Sequence, residues 1–281
     1  MTTNSGKIAF QGELGAYSHM ACREVYPDLE PLPCMSFEAA LDAVRTREAD
    51  LAMMPIENST YGRVADLHHL LPTSGLYIIG EHFVPVRINL LGPKGAALAD
   101  VKTAQSHTVL LGQVRRFLSQ HGINPVIGAD TAGSAAQIAE AGDASRAALA
   151  SPLAGELNDL EILAEDIQDN PDNTTRFLVM SRQRIEEEPG TGNAMTSFFF
   201  EVRNVPAALY KAMGGFATNS INMVKLESYM GGMFSATQFY AEIEGHPEDN
   251  AVQNAFEELK FFTKHFKVLG VFPKADFRGR S

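Results

Sequence analysis

Residues 7–25, KIAFQGELGAYSHMACREV, point to the fold class. Lys7 to Gln11 predict a strand, a turn with two glycines follows, and residues 16–25 predict a helix. The same order returns further along the chain, where Ser36 precedes a helical pattern and residues 51–56, LAMMPI, predict a buried strand. Alternation of strands and helices is typical of an α/β fold with largely parallel sheets.

The second half begins after a change in composition. Residues 183–193, QRIEEEPGTGN, have the acidic, glycine- and proline-containing chemistry of a linker. Beyond it the pattern predicts strands at 196–202, 221–228, 234–243 and 266–272, helices at 206–217 and 248–263, and a turn at Gly231-Gly232. The order βαββαβ predicts a ferredoxin-like unit.

Composition narrows the class of protein. The 281 residues suit two domains, and 23 basic against 34 acidic residues give 23 − 34 = −11, which disfavours nucleic acid or anionic membrane as a partner. No apolar stretch is as long as a membrane span, and the N-terminal residues lack the apolar core of a signal peptide. With only two cysteines, we expect a cytoplasmic protein without disulfides.

Familiar cofactor motifs are absent from the sequence, and the adjacent His68 and His69 diverge by about 100° on a predicted helix, so we expect neither a metal nor an organic cofactor. Four polar clusters instead follow predicted strands or open them, where α/β proteins place ligands. Each also has an ordinary interpretation as a turn, a helix cap or the start of a strand. The clusters are GELGAYS at 12–18, PIENS at 55–59, Ser106-His107 with Gln113, and NTTRF at 173–177.

Together these clusters resemble the prephenate dehydratase family. The strings FQGELGAYS, MPIENSTYGRV, SH followed by Gln113, and DNPDNTTRF stand in the order and spacing typical of that family. The C-terminal unit, with VPAALYKAM and INMVKLES, is similar to the ACT regulatory domain that commonly follows the catalytic domain. The resemblance spans residues 7–273.

The resemblance implies a catalytic domain of two α/β lobes, like a type 2 periplasmic binding protein, with the substrate between the lobes. We expect this domain at 1–182, with one lobe built from about 7–84 and 160–181 and the other from about 85–159. A linker at 183–195, an ACT domain at 196–273 and a tail at 274–281 would follow. The implied reaction is the loss of carbon dioxide and water from prephenate to give phenylpyruvate for phenylalanine synthesis.

The resemblance also assigns residues to the catalytic site. Thr175 is the candidate proton donor to the leaving hydroxyl, Arg176 the clamp for a substrate carboxylate, and Glu57 a residue that orients its neighbours. The further residues matched to substrate binding are Asn58, Ser59, Ser106, Gln113, Tyr17, Ser18 and Phe177. The chain departs from the family at Thr108-Val109, where Pro-Gln is usual, and at Val114, where Cys is usual.

A regulatory site for L-phenylalanine is expected between paired ACT domains, in a homodimer or homotetramer. The matched positions are Ala207, Ala208, Leu209, Asn222, Glu227 and Ser228. Ala207 stands where the family has glycine, and Tyr229-Met230 stands where it has Arg-Pro. Two other functions remain open: an arogenate dehydratase, which acts on the amino-acid analogue of prephenate, and an amino-acid sensor without catalysis.

Overall fold

The computed structural model describes residues 6–185, 187–230 and 236–280. The predicted turn at Gly231-Gly232 and Glu186 of the predicted linker lie outside these residues. Through residue 112 the elements are β1 (Lys7–Gln11), α1 (Tyr17–Val25), β2 (Glu30–Cys34), α2 (Phe37–Arg45), β3 (Leu51–Asn58), β4 (Gly62–Arg63), α3 (Ala65–Leu70), β5 (Tyr77–Pro85), β6 (Asn89–Gly92), β7 (Thr103–Ser106) and α4 (Thr108–Gly112). Next come α5 (Arg115–His121), β8 (Asn124–Ile127), α6 (Thr131–Ala141), β9 (Arg146–Ala150), α7 (Pro152–Leu157), β10 (Glu161–Ala164) and β11 (Thr174–Ser181). The last are β12 (Ala194–Val202), α8 (Ala208–Thr218), β13 (Met223–Met230), β14 (Ala236–Glu244), α9 (Asn250–Phe262) and β15 (Thr263–Pro273).

The described chain divides into two compact units, and the first holds residues 6–64 and 83–177. In one of its lobes β1 pairs in parallel with both β2 and β3. Ile8, Ala9 and Phe10 of β1 are fully buried, as expected for a parallel strand that is covered on both faces. Helix α2 packs on this sheet, and its N-cap is Ser36, whose Oγ accepts the backbone N–H of Ala39 at 3.2 Å.

The other lobe of the first unit is built on a five-stranded mixed sheet with the order β10-β6-β9-β7-β8. Strands β7, β8 and β9 run parallel, whereas β6 and β10 are antiparallel to their neighbours. Its core is assembled from aliphatic side chains such as Leu90, Ala104, Val114 and Leu149, all of them fully buried. This lobe confirms the α/β class, but its sheet is mixed, whereas the sequence predicted largely parallel sheets.

The second unit holds residues 65–82 and 178–280. Its strands β12 to β15 form an antiparallel sheet with the order β13-β14-β12-β15, and helices α8 and α9 complete a βαββαβ unit. Four phenylalanines form stacked and edge-to-face ring pairs between this sheet and its helices: Phe198, Phe216, Phe256 and Phe266. The predicted ferredoxin-like order is therefore present.

The compact units divide the chain differently from the predicted domain boundaries at 178–182, which we expected in the catalytic domain, and over the longer segment 65–82. We expected it within the first lobe, but it packs with the C-terminal residues because β5 pairs in parallel with β15 at Ile78 and Gly270. A side chain at Gly270 would meet the carbonyl oxygen of Ile78 at 2.0 Å, so the pairing requires glycine. Lys267 Nζ also donates to the carbonyl of Pro72 at 2.8 Å.

Among the described residues, none of the helices is both long and apolar enough to cross a membrane.

Candidate active site

Asn58 stands at the end of β3 and is held by the backbone that follows it. Its Oδ1 accepts the N–H groups of Thr60 and Tyr61, both at 2.9 Å. Because a backbone N–H can only donate, these two bonds fix which end of the amide is oxygen. The Nδ2 group then has two hydrogens, and it donates to Thr175 Oγ1 at 3.0 Å and to Asn173 Oδ1 at 2.8 Å.

Gln113 joins this cluster from the other lobe. Asn173 Nδ2 donates to Gln113 Oε1 at 2.7 Å, so the amide of Asn173 bridges Asn58 and Gln113. Asn173 is only 2% exposed and Gln113 only 8%, so both side chains are fixed inside the protein. We call Asn58, Asn173, Gln113 and Thr175 the amide cluster.

The amide cluster does not by itself confirm the role of any residue or the reaction that the sequence predicts. It does bring together three of the predicted site residues, Asn58, Gln113 and Thr175. Sequence reasoning missed the fourth member, Asn173, although it lies inside the quoted string NTTRF. An asparagine directly before a buried strand was the available signal, since its amide must find partners there.

Gln113 occupies a break between helices rather than the middle of one. Helix α4 ends at Gly112 and α5 begins at Arg115. The carbonyl of Gln113 accepts the N–H of Asp169 at 2.6 Å, so it is bonded to a neighbouring segment. The break leaves Gln113 as the residue that follows α4, and its side chain reaches Asn173.

Ser106 is the last residue of β7 and is hydrogen-bonded within its own lobe. Its hydroxyl is fully buried and donates to the carbonyl of Leu149 at 2.7 Å, so its proton is used within the lobe. It does not cap the following helix either, because His107 is the N-cap and its Nδ1 accepts the N–H of Val109 at 3.3 Å. Ser106 therefore supports the end of β7, and its match to substrate binding stays a prediction.

Arg176 and Glu57 form an ion pair inside the first unit. Arg176 Nη1 lies 3.0 Å from Glu57 Oε1, and the arginine side chain is 3% exposed while the glutamate is 28% exposed. The guanidinium also lies over the ring of Phe83, 5.9 Å from its centroid. The anionic partner of this arginine is thus a protein carboxylate. The ion pair brings Arg176 and Glu57 together, while the clamp for a substrate carboxylate and the orienting role of Glu57 stay predictions.

The turn at residues 12–18 is rigidly held. Gly15 has a φ of +95°, and a side chain there would meet Ala154 Cα at 2.9 Å. Its N–H donates to His19 Nδ1 at 3.0 Å, and its carbonyl accepts the Ser151 hydroxyl at 2.5 Å. Burial, followed by the charge of Arg23, lowers the pKa of His19 below its ordinary 6.5, while Glu156 has a smaller effect in the other direction. The neutral ring keeps Nδ1 able to accept.

The remaining predicted binding residues are placed around this turn and cluster. Tyr17 donates its hydroxyl to the carbonyl of Arg87 at 2.7 Å, and burial, followed by the charge of Asp166, raises its pKa. Ser18 is buried in α1 and Phe177 in β11. Ser59 Oγ accepts the N–H of Thr174 at 2.9 Å, which ties the end of β3 to the start of β11.

The predicted regulatory residues lie in the second unit, on α8 and on the edge strand β13. Ala207 precedes α8 with a φ of +61°, while Ala208 is buried and Leu209 packs on the core. Asn222 Nδ2 donates to Glu244 Oε2 at 2.9 Å. Glu227 pairs with Lys225 at 3.4 Å, and Ser228 is exposed.

Tyr229, which stands where arginine is usual, is buried. Its hydroxyl lies 2.5 Å from His68 Nδ1, and its ring contacts that of His69 at 5.5 Å between centroids. The side chain of Met230 lies outside the described atoms.

Residues 8–185, which contain the whole amide cluster, match the family model for prephenate dehydratase. The chain belongs to the prephenate dehydratase family. It is therefore an enzyme of the hydro-lyase class. A curated relative from Komagataeibacter europaeus, a bifunctional N-acyl-homoserine lactone acylase/prephenate dehydratase, is 48% identical over 96% of this chain and 97% of its own length.

Two further relatives of the prephenate dehydratase family show its range. Arogenate dehydratase/prephenate dehydratase 2 from Arabidopsis thaliana is 37% identical over 95% of this chain and 72% of its own. A solved prephenate dehydratase from Arthrobacter aurescens, in complex with L-Phe, is 32% identical with a TM-score of 0.87, covering 96% of this chain and 90% of that one. Both the catalytic half and the βαββαβ unit are therefore within the matched length.

Proposed function

We propose that the chain converts prephenate into phenylpyruvate, carbon dioxide and water, with the substrate bound between its two lobes at the amide cluster. The bond from the ring to its carboxylate breaks, its electron pair enters the ring, and the ring hydroxyl leaves. One proton is needed, since hydroxide departs as water. Aromatisation drives the elimination, so the protein chiefly orients the substrate and assists the departing hydroxide.

The observation that supports this role is the direction of the hydrogen bond at Thr175. Asn58 donates to Thr175 Oγ1, so the threonine oxygen is the acceptor in that bond. In the part of the chain that the structure describes, no acceptor for the Thr175 hydroxyl proton lies within hydrogen-bond distance. That proton is available to the leaving hydroxyl, and the Asn58 amide stabilises the alkoxide that remains until solvent reprotonates it.

Substitution of Thr175 tests this mechanism. Thr175→Ala lowers kcat by roughly 10² to 10⁴, the usual value of a positioned acid, whereas Thr175→Ser keeps the hydroxyl and most of the activity. Rates are measured from phenylpyruvate formation, with circular dichroism to verify folding. If the alanine variant turns over prephenate at the parent rate, Thr175 has no part in the reaction.

Prephenate is proposed over arogenate as the substrate because the most similar curated relative reported above carries the prephenate dehydratase name alone for this reaction. The two substrates differ in a keto group against an ammonium group. Purified protein is assayed with each, and a higher kcat/KM for arogenate would reverse the assignment.

A second candidate activity comes from the same relative, which is described as an N-acyl-homoserine lactone acylase as well. Its 48% identity spans 96% of this chain and 97% of the relative, so nearly the whole of this chain is included in the comparison. The test is release of homoserine lactone from an N-acyl-homoserine lactone by the purified protein. Failure to release it at any enzyme concentration would remove this activity and leave the dehydratase untouched.

The βαββαβ unit is proposed to be an ACT domain that binds L-phenylalanine and pairs with a second copy. In support, β13 is the last strand at one side of the described sheet, where another strand can pair with it, and a related solved structure is named as a complex with L-Phe. Suppression of turnover by L-phenylalanine, with a dimer or tetramer in sedimentation, is the expected result. We also propose a cytoplasmic location, in keeping with two free cysteines, of which Cys22 is buried with its pKa raised to about 12.

A further inference from the structure

The hydrogen bonds of the amide cluster all run in one direction. They begin at the N–H groups of Thr60 and Tyr61, which donate to Asn58 Oδ1. Asn58 Nδ2 donates to Asn173 Oδ1, and Asn173 Nδ2 donates to Gln113 Oε1. Each amide accepts at its oxygen and donates from its nitrogen, so a direction set by the backbone is passed through three side chains.

This direction determines which end of the Gln113 side chain is available to a ligand. Its oxygen is occupied by Asn173, so the Nε2 group, with two N–H donors, is the end left for a ligand. Among the described residues no hydrogen-bond acceptor for that group is found. At the other branch, Asn58 donates to Thr175 and leaves the threonine proton for a ligand. Both branches thus present donors, which suits an anionic substrate.

We infer that Asn173 is a positioning residue whose amide sets the donor direction of the site and thereby its selectivity for a carboxylate-bearing substrate. Asn173 is 2% exposed and contacts its two amide partners, so it acts through Asn58 and Gln113. With the direction reversed, Gln113 would present its carbonyl oxygen, and an acceptor repels a carboxylate. This inference rests on the proposed dehydratase function, but only its kinetic test requires that function.

The test is Asn173→Asp, which keeps the shape and replaces the donor with an oxygen. When ionised, the new carboxylate faces Gln113 Oε1, so Gln113 must rotate and offer its Nε2 to the carboxylate. When protonated, the same group donates an O–H to Gln113 and restores the original direction. Burial raises the pKa of a carboxyl at such a position above its ordinary value of about 3.9, which brings the transition toward measurable pH.

At pH 8 we expect Asn173→Asp to raise the KM for prephenate by at least about 10-fold, the usual scale for a partner of a ligand-binding residue. As the pH is lowered toward 5.5, kcat/KM relative to the parent recovers. The matched control is Asn170→Asp, which adds the same charge in the same loop at an exposed position that bonds to Thr60 Oγ1. It stays near the parent value at every pH.

A second readout needs no turnover. The side-chain NH₂ resonances of Gln113, followed by NMR in Asn173→Asp, shift with pH as the new carboxyl titrates, while those of the parent do not. A constant Gln113 signal, or a loss of kcat/KM that is equal at all pH values, overturns the inference. If the parent does not act on prephenate, the proposed function fails, and the NMR titration still decides the direction of the cluster.

Discussion

Thr175 and Arg176 are neighbours in β11, yet their side chains have different surroundings. Successive side chains of a strand point to opposite faces, so one of the two faces Asn58 and the other enters the core. The arginine finds its counter-charge at Glu57, 119 positions away in the chain. A buried guanidinium must have such a partner, whereas a hydroxyl at the cleft need not.

The pairing of Arg176 predicts the effect of its removal. Arg176→Met leaves Glu57 without this partner and lowers the free energy of unfolding by about 2 to 3 kcal/mol, the usual value for a hydrogen bond to a charged group. KM for prephenate changes little in the fraction that remains folded. Urea unfolding and steady-state kinetics measure the two effects separately.

Arg23→Met is the matched control for Arg176→Met. Arg23 pairs with Glu156 at 3.3 Å, but these side chains are 50% and 65% exposed, so its loss costs below about 1 kcal/mol. A large rise in KM with unchanged stability in Arg176→Met would instead support the carboxylate-clamp role.

The residues that the sequence identified and those it missed differ in one respect. Asn58, Gln113 and Thr175 stand in motifs that the resemblance singles out, and the structure brings them together. The partner of Arg176 and the bridging role of Asn173 depend on contacts between distant segments. A single sequence indicates that a buried polar residue needs a partner, but it does not show where in the chain that partner lies.

At the level of elements, the turn before α1 depends on a neutral His19. Its Nδ1 accepts the Gly15 N–H, and its ring stacks on Phe10 with centroids 5.6 Å apart. The folded protein holds the pKa of His19 below 6.5, chiefly through burial, so the unfolded chain binds the proton more readily. Stability is therefore complete above about pH 6.5 and declines as the pH falls toward the lower folded value.

This pH dependence is measured by urea unfolding between pH 8 and 5. His19→Asn replaces Nδ1 with an oxygen that can accept from Gly15 and does not titrate, so the slope becomes shallower. His121→Asn, at an exposed position of α5, retains the slope of the parent. An unchanged slope in His19→Asn would show that other groups cause the acid sensitivity.

The start of α8 contains a strained residue. Ala207 has a φ of +61°, a conformation that costs an L-residue about 1 to 2 kcal/mol and that glycine adopts freely. Because glycine also gains about 0.4 to 1 kcal/mol of entropy in the unfolded chain, Ala207→Gly raises the free energy of unfolding by only about 0.5 kcal/mol.

Urea unfolding of the Ala207 variant is compared with that of Ala208→Gly. Ala208 is the first residue of α8 and is buried, so glycine there lowers stability. Equal losses in both variants would mean that Ala207 carries no strain.

Elements with a clear periodic pattern were predicted well, and those that break the usual rules were not. The sequence predicts a strand at 7–11 and a helix at 16–25, close to the observed β1 (Lys7–Gln11) and α1 (Tyr17–Val25). It did not predict β2, EPLPC, because two prolines argue against a strand. Proline is tolerated there since β2 lies at the edge of its sheet. The α4–α5 break depends on the Asp169 N–H, a contact that no local pattern contains.

At the scale of the whole molecule, the net charge of −11 opposes the binding of a dianion. The amide cluster offers uncharged hydrogen-bond donors to such a substrate, and the charge of Arg176 is paired with Glu57. Neutral donors recognise an anion at short range but do not attract it from a distance, so the long-range field of the chain is left to repel the substrate.

The direction in which added salt changes kcat/KM can therefore be predicted. Raising the ionic strength from about 0.01 M to 0.15 M shortens the screening length from about 30 Å to 8 Å and weakens this repulsion. We expect kcat/KM for prephenate to rise by a few-fold, mainly through a lower KM, with kcat little changed. Sodium chloride titrations of the steady-state rate at fixed pH measure it. A steady fall of kcat/KM with salt would instead show that positive charge near the cleft dominates the field, and it would return a basic side chain to the list of substrate ligands.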